Sequence, residues 1–291
     1  MGKIPVDEFP LVMTGGRWRR RAKLALGYAA AALMPGRAKA LESGEADGRL
    51  SSADRLIVGA MVHRAVRQRK PIDQFAYLHQ RMWSSDTITA YHAVVEERFT
   101  RWFIPHQSMV VDALERELAR QPGRFHTLCE IGCGSGLTLD YLSKRLPAAG
   151  VRKFIGLDLS PAQVANNSAR FSDATCSFVA ADACTWIPAN AGPGWILFCC
   201  GGVLEYLPES VLDGLLAATA DGRMAPVRWA IVEPLDGSHD LTEDPVSRLC
   251  GMEQSWSHHY PHHLRRAGLT IHYQHDLRFE GTRWQVAIAG T

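Results

Sequence analysis

The stretch Leu128-Cys129-Glu130-Ile131-Gly132-Cys133-Gly134-Ser135-Gly136 decides the fold. An apolar run ends in three glycines at alternate positions, and a helix-forming segment starts at Leu137. That order reads as strand, tight turn and helix, because glycine accepts positive φ cheaply and lets a ligand approach the backbone. Asp158 stands 22 residues beyond Gly136, at the end of a second apolar run. An acid at the tip of the next strand can accept hydrogen bonds from a ribose diol. The spacing is G-x-G-x-G rather than the G-x-G-x-x-G that receives a dinucleotide pyrophosphate. Glu130 lies two positions before the first glycine. A carboxylate there would crowd a pyrophosphate and suits a ligand carrying an ammonium group.

The segment from Glu130 to Gly136 resembles the first motif of the class I S-adenosylmethionine-dependent methyltransferases. Three later segments fit the same family in order. Phe154-Ile155-Gly156-Leu157-Asp158-Leu159-Ser160 resembles its second strand and ribose-binding acid. Phe178-Val179-Ala180-Ala181-Asp182-Ala183 resembles the third, whose Asp reaches the adenine amino group. The run from Ile196 through Cys200-Gly201-Gly202 to Glu205-Tyr206-Leu207-Pro208 resembles the fourth strand and the loop beneath the reacting sulfonium. The resemblance covers about residues 125 to 291. It implies S-adenosylmethionine as cofactor, held by Glu130, Gly132, Cys133, Gly134, Gly136, Asp158, Leu159, Asp182, Ala183 and Cys200. The plain alternatives are a structural glycine turn, a strand-end acid at Asp158 and a turn-capping Asp182.

From residue 125 strands and helices alternate. The pattern predicts strands over 127–130, 153–158, 177–181, 196–199, 228–233, 270–275 and 284–289, and helices over 137–146, 161–171, 208–218 and 259–267. Arg278-Phe279-Glu280-Gly281-Thr282-Arg283 is short enough for a hairpin, so one of the last two strands is reversed. The expected architecture is a doubly wound, mostly parallel seven-stranded α/β sheet with a reversed edge strand and an N-terminal helical extension.

The first 125 residues lack this alternation. Arg17-Trp18-Arg19-Arg20-Arg21-Ala22-Lys23 precedes an apolar run from Leu24 to Met34, broken by Pro35-Gly36. Three readings compete: a secretory signal, an interfacial membrane helix and an ordinary solvated basic helix. The run is too short to span a bilayer, and export would part the enzyme from its cytosolic cofactor. Residues 42 to 53 read as a linker. Beyond them, helical spacing joins Leu56, Ile57, Ala60, Met61 and Ala65, then Phe75, Leu78 and Met82, then Ile88, Tyr91, Val95 and Phe99. Trp102, Phe103, Ile104 and Pro105 end that third helix, and a fourth runs from Ser108 to Arg120. The expected division is residues 1–50 as basic segment and linker, 51–124 as a helical substrate lid, and 125–291 as the cofactor domain.

Hydrophobic residues make up 46% and charged residues 21%, as in a globular domain, and the formal net charge of +2 gives no global reason for a nucleic-acid partner. Of seven cysteines, Cys129, Cys133, Cys199 and Cys200 fall in or beside strand patterns, and the adjacent Cys199-Cys200 lack metal-ligand spacing. No metal is expected, and the compartment reads as cytoplasmic. The base for methyl transfer stays open among His258, His259, Glu205 and Tyr206, with His79, His92 and His106 as alternatives in the helical block. The aromatic helices point to a small-metabolite acceptor with an O, N or C nucleophile. The alternatives are a protein or RNA methyltransferase, or a non-methylating member of the family. The basic segment leaves peripheral membrane contact open, and oligomeric state is not readable.

Overall fold

A computed structural model describes residues 17–43, 51–68, 83, 96–171, 175–243, 246–250 and 255–291. The strands are β1 (Thr127–Ile131), β2 (Lys153–Asp158), β3 (Cys176–Ala180), β4 (Trp195–Cys200), β5 (Val227–Leu235), β6 (Ser247–Cys250), β7 (Ser255–His258), β8 (Thr270–Phe279) and β9 (Thr282–Gly290). Seven of them form one sheet in the order β3-β2-β1-β4-β5-β9-β8, and β6 pairs with β7 apart from it. The pairs from β3 through β5 are parallel, while β9 runs antiparallel to both β5 and β8. The sheet is thus the expected mixed α/β one. Its reversed strand lies one place in from the edge, and β8 at the edge runs with the parallel strands.

Side chains on a strand alternate between faces, and in the central strands both faces are buried. Leu128, Phe154, Ile196, Phe198, Ala230 and Val286 point to one core; Cys129, Ile155, Leu197, Cys199, Ile231 and Ala287 point to the other. Such strands read as unbroken apolar runs, which made them legible. The first core is covered by a π-helix (Phe99–Gln107), by α4 (Met109–Ala119) and by α5 (Leu137–Arg145). The second is covered by α7 (Ala183–Asn190), α8 (Glu209–Ala220) and α9 (Tyr260–Arg266). Between β2 and β3 runs α6 (Pro161–Arg170), started by Pro161 and by the Ser160 hydroxyl, which accepts from the Gln163 amide.

Three features differ from the sequence reading. Residues 99–107 form a π-helix where an α-helix end was expected, and Pro105, which has no amide hydrogen, sits inside it. The helix α7 was not anticipated, because Pro188 lies within its eight residues; Asp182 starts it by accepting from the Cys184 amide. The β6–β7 hairpin was also not anticipated, its four-residue strands being short and polar.

Ahead of these elements come α1 (Arg17–Leu33), α2 (Pro35–Ser43) and α3 (Ser52–Gln68). Ala38, Leu41, Ile57, Val58 and Met61 form a core of their own. Packing therefore groups residues 51–68 with α1 and α2, not with the π-helix and α4. The expected helices around Phe75 to Met82 and around Ile88 to Val95 lie outside the described residues, as does most of the expected 42–53 linker.

Candidate active site

The carboxyl ends of β1, β2 and β4 open into a cavity of about 490 Å³. Ligands of open α/β sheets bind at this end, where neighbouring crossovers part. One side of the cavity is formed by the turn after β1 and the tips of the next strands: Glu130, Gly132 to Ser135, Asp158, Leu159 and Asp182 to Cys184. The other is formed by Arg98, Phe99, Trp102, Phe103 and Gln107 around the π-helix, by Trp83, and by the loop from Cys200 to Leu207.

The turn is held by its own polar groups. Asp158 accepts from the Gly134 amide at 3.0 Å and from the Ser160 amide at 2.9 Å, while Asn167 donates to the Gly134 carbonyl at 2.8 Å. Gly132 has φ +69°, and a Cβ there would stand 2.6 Å from a Val203 methyl carbon. Gly136 is not part of the cavity wall. It starts α5 at φ +76°, with Phe171 so close that a Cβ would lie 2.8 Å from its ring. The missing Cβ leaves room for that ring.

Glu130 is 3% exposed, and its Oε2 has no hydrogen-bond partner. Burial and the nearby Asp158 push its carboxyl well above the ordinary range. A buried carboxylate with an unsatisfied oxygen facing a cavity is costly unless a cationic donor arrives. The ammonium of S-adenosylmethionine is such a donor, and the asymmetric lining fits a nucleoside on the strand-tip side. When bound, that cofactor supplies a methyl carbon activated by its sulfonium.

The expected base residues separate. Tyr206 lines the cavity, its ring 5.1 Å from that of Trp83. Glu205 is buried beneath the loop and packs against Gly202, outside the cavity wall. His258 is fully buried, with Nδ1 2.7 Å from the Ser247 hydroxyl and Nε2 donating to the Leu207 carbonyl at 3.0 Å. Burial and the neighbouring His263 hold it down at about 3, so it is neutral and spent on holding the loop. His259 precedes α9, its amide donating to the Val246 carbonyl, and its ring stacks on His262. Neither histidine reaches the cavity. His106 stacks on Phe279 at 4.6 Å, and His79 and His92 lie outside the described residues.

Three further residues shape the site: Glu233, which the sequence places at the end of the fifth strand before the loop over the pocket, and Gln107 and Arg98, which it did not single out. The fully buried Glu233 accepts from the amides of Gly202, Val203, Leu204 and Glu205 at 3.2, 2.9, 2.8 and 3.4 Å, fixing the loop over the cavity. Burial outweighs those hydrogen bonds and raises its carboxyl to about 7. Gln107 is buried at the end of the π-helix with its Nε2 unpartnered, and Arg98 lies 4.7 Å over the Trp102 ring. Glu209, Asp213 and His263 come together on α8 and α9 with metal-like spacing, but Arg266 reaches both carboxylates and already supplies the cation.

Residues 128–221 match a methyltransferase domain family. The chain is 29% identical over 175 residues to trans-aconitate 2-methyltransferase of Escherichia coli, covering 56% of this chain and 59% of that protein. It is 30% identical over 122 residues to the enzyme of the same name from Variovorax paradoxus, covering 41% of each. The chain thus spans 59% and 41% of the length of these two curated relatives. Among solved structures, a Haloferax volcanii methyltransferase bound to the Trm112 methyltransferase activator shares the fold with a TM-score of 0.50 at 18% identity, over 71% of this chain and 99% of that one. Residues 128–221 thus carry a methyltransferase domain, set on a seven-stranded sheet whose strand-tip motifs stand in the order that resembles the class I S-adenosylmethionine-dependent methyltransferases.

Proposed function

We propose that the protein transfers the methyl group to a small apolar molecule that carries an anionic oxygen, a carboxylate above all. The observation that carries this reading is the composition of the cavity's second side. Aromatic rings of Trp83, Phe99, Trp102, Phe103 and Tyr206 surround one guanidinium, Arg98, and one unsatisfied amide donor, Gln107. Rings bury an apolar body, and the two donors fix an anionic end. The curated relatives named for trans-aconitate, itself a carboxylate, point the same way.

The reaction needs the acceptor oxygen held in line with the methyl carbon, and holding is most of the catalysis. A carboxylate is already ionised near neutral pH, so no base need stand beside it. That agrees with a cavity wall that contains no histidine among the described residues. On this reading Glu130 takes the cofactor's ammonium, Asp158 the ribose and Asp182 the adenine edge. If the acceptor were a phenol or an amine, Tyr206 would be the candidate to receive its proton.

Purified protein, labelled S-adenosylmethionine and a panel of apolar acids, amines and phenols test this. Label should enter the acids. Arg98→Gln should raise KM for the acid roughly tenfold or more, the loss of a charged hydrogen bond, with cofactor affinity unchanged. Label entering only RNA or protein, or an Arg98→Gln variant with unaltered KM, would sink the proposal.

A further inference from the structure

Six large hydrophobic side chains are exposed among the described residues, and five of them fall between positions 18 and 34. Trp18, Leu26 and Leu33 are 80%, 58% and 82% exposed. The opposite side of α1 is the packed one: Gly27 is buried so closely on α3 that a Cβ would stand 2.2 Å from the Leu56 carbonyl oxygen, and the Tyr28 hydroxyl meets His63 at 2.9 Å. At 3.6 residues per turn, Trp18, Ala22, Leu26, Ala29 and Leu33 make one stripe facing away from α3, and all five are exposed. A surface helix ordinarily puts its polar residues there; α1 puts apolar ones.

Charge identifies the occupant. Between residues 17 and 41 the chain carries seven Lys or Arg and no acid. Arg19 and Arg21 are exposed beside the stripe, and the Arg21 guanidinium lies 5.7 Å from the Trp18 ring centre. A second copy of α1 would bring like charges together along the same stripe, which disfavours a self-paired helix. Nucleic acid would meet the arginines but leave the tryptophan and leucines without a partner. A surface that is apolar within and anionic outside satisfies both sets.

We propose that α1 lies in the plane of a membrane rich in anionic lipid, with Trp18, Leu26 and Leu33 inserted and Arg19 and Arg21 at the headgroups. The contact is peripheral, since no described helix is long and apolar enough to cross a bilayer. It is independent of the chemistry proposed for the cavity.

The full chain is tested against vesicles of phosphatidylcholine alone and of phosphatidylcholine with one third phosphatidylglycerol. Co-sedimentation should favour the anionic vesicles and weaken as salt rises. Leu26→Ser with Leu33→Ser removes insertion, and Arg19→Gln with Arg21→Gln removes charge. At about 1 kcal/mol per basic residue at the surface, the arginine pair should cut anionic-vesicle binding roughly thirtyfold, and the leucine pair, which loses two buried apolar side chains, roughly tenfold or more. Cofactor affinity by calorimetry should hold in both, showing that each variant is folded. Equal binding to neutral vesicles, binding insensitive to both pairs, or no binding at all would overturn the proposal. A vesicle-free dimer dissolved by the leucine pair would assign the stripe to a second copy instead.

Discussion

Glu130 makes the residue scale instructive, because one oxygen atom separates a structural from a ligand-binding role. Its carboxyl is buried, one oxygen has no partner, and its affinity for a proton is raised by burial and by Asp158. Without a cation it holds a proton more readily than a surface acid does, whereas an ammonium ligand selects the ionised form. Cofactor affinity should therefore increase as pH rises through the free protein's Glu130 range, and fall as pH drops below it. Glu130→Gln should weaken binding by about 1.5–3 kcal/mol and flatten this pH dependence, as read by calorimetry across pH. Unchanged affinity with the same pH slope would remove Glu130 from the site.

At the scale of elements, the π-helix owes its place to a hairpin far away in sequence. Phe279 pairs with Thr282, leaving Glu280-Gly281 as a two-residue turn with φ of +47° and +77°. Positive φ at both central residues is what the twist of adjoining strands asks of such a turn. A glutamate accepts this strained conformation at some cost, and its carboxylate is used. It accepts from the Trp102 indole at 2.9 Å and from Arg101 at 2.8 Å. The pair with Arg101 is half exposed and contributes little; the indole bond steers a cavity wall. Glu280→Ala should raise the acceptor KM several-fold with little change in cofactor affinity, at a stability loss of about 1 kcal/mol. Equal loss of cofactor and acceptor binding would mean general unfolding rather than release of this wall.

On the scale of the molecule, Glu233 couples the loop over the cavity to pH. Its carboxyl is raised to about 7 from an ordinary 4.5. The folded chain therefore holds this proton more tightly than the unfolded one does. Its effect on stability is favourable below about pH 4.5 and is lost as pH rises to about 7, by about 3 kcal/mol. His258, held down at about 3 from 6.5, acts with the opposite sign, adding stability as pH rises across that interval. The two partly cancel, so a difference between proteins is the useful quantity. Denaturant unfolding of Glu233→Gln should show it gaining stability relative to the parent between pH 4.5 and 7; a constant difference would refute the assignment. The separate small core of α1, α2 and α3 carries a second expectation. Deleting residues 1–68 leaves both large cores whole, so cofactor affinity should persist, while deleting through Gln107 removes Trp102 and Phe103 from the first core and should abolish folding. Loss of cofactor binding in the shorter deletion would show that the helical trio supports the sheet.

The strand-turn-helix at residues 127–145, the acid at Asp158 and the alternation of seven strands were legible because each rests on local chemistry. Glycine permits φ values that other residues resist, and strands buried on both faces are predominantly apolar. The hairpin at Glu280-Gly281 was legible for the same reason. Local chemistry could not place β9 inside β8, because pairing order is set by how the sheet closes over its helices. Nor could it show that His258 turns to Leu207 rather than to the cavity, or that Gln107, Arg98 and Glu233 turn toward the cavity and the loop over it. Those roles depend on which polar atoms are left facing a cavity once distant segments pack. The sequence determined the strand-turn-helix frame and its resemblance to a methyltransferase; only the tertiary structure decided which side chains line the cavity, because burial and hydrogen-bond partners arise between segments and not within them.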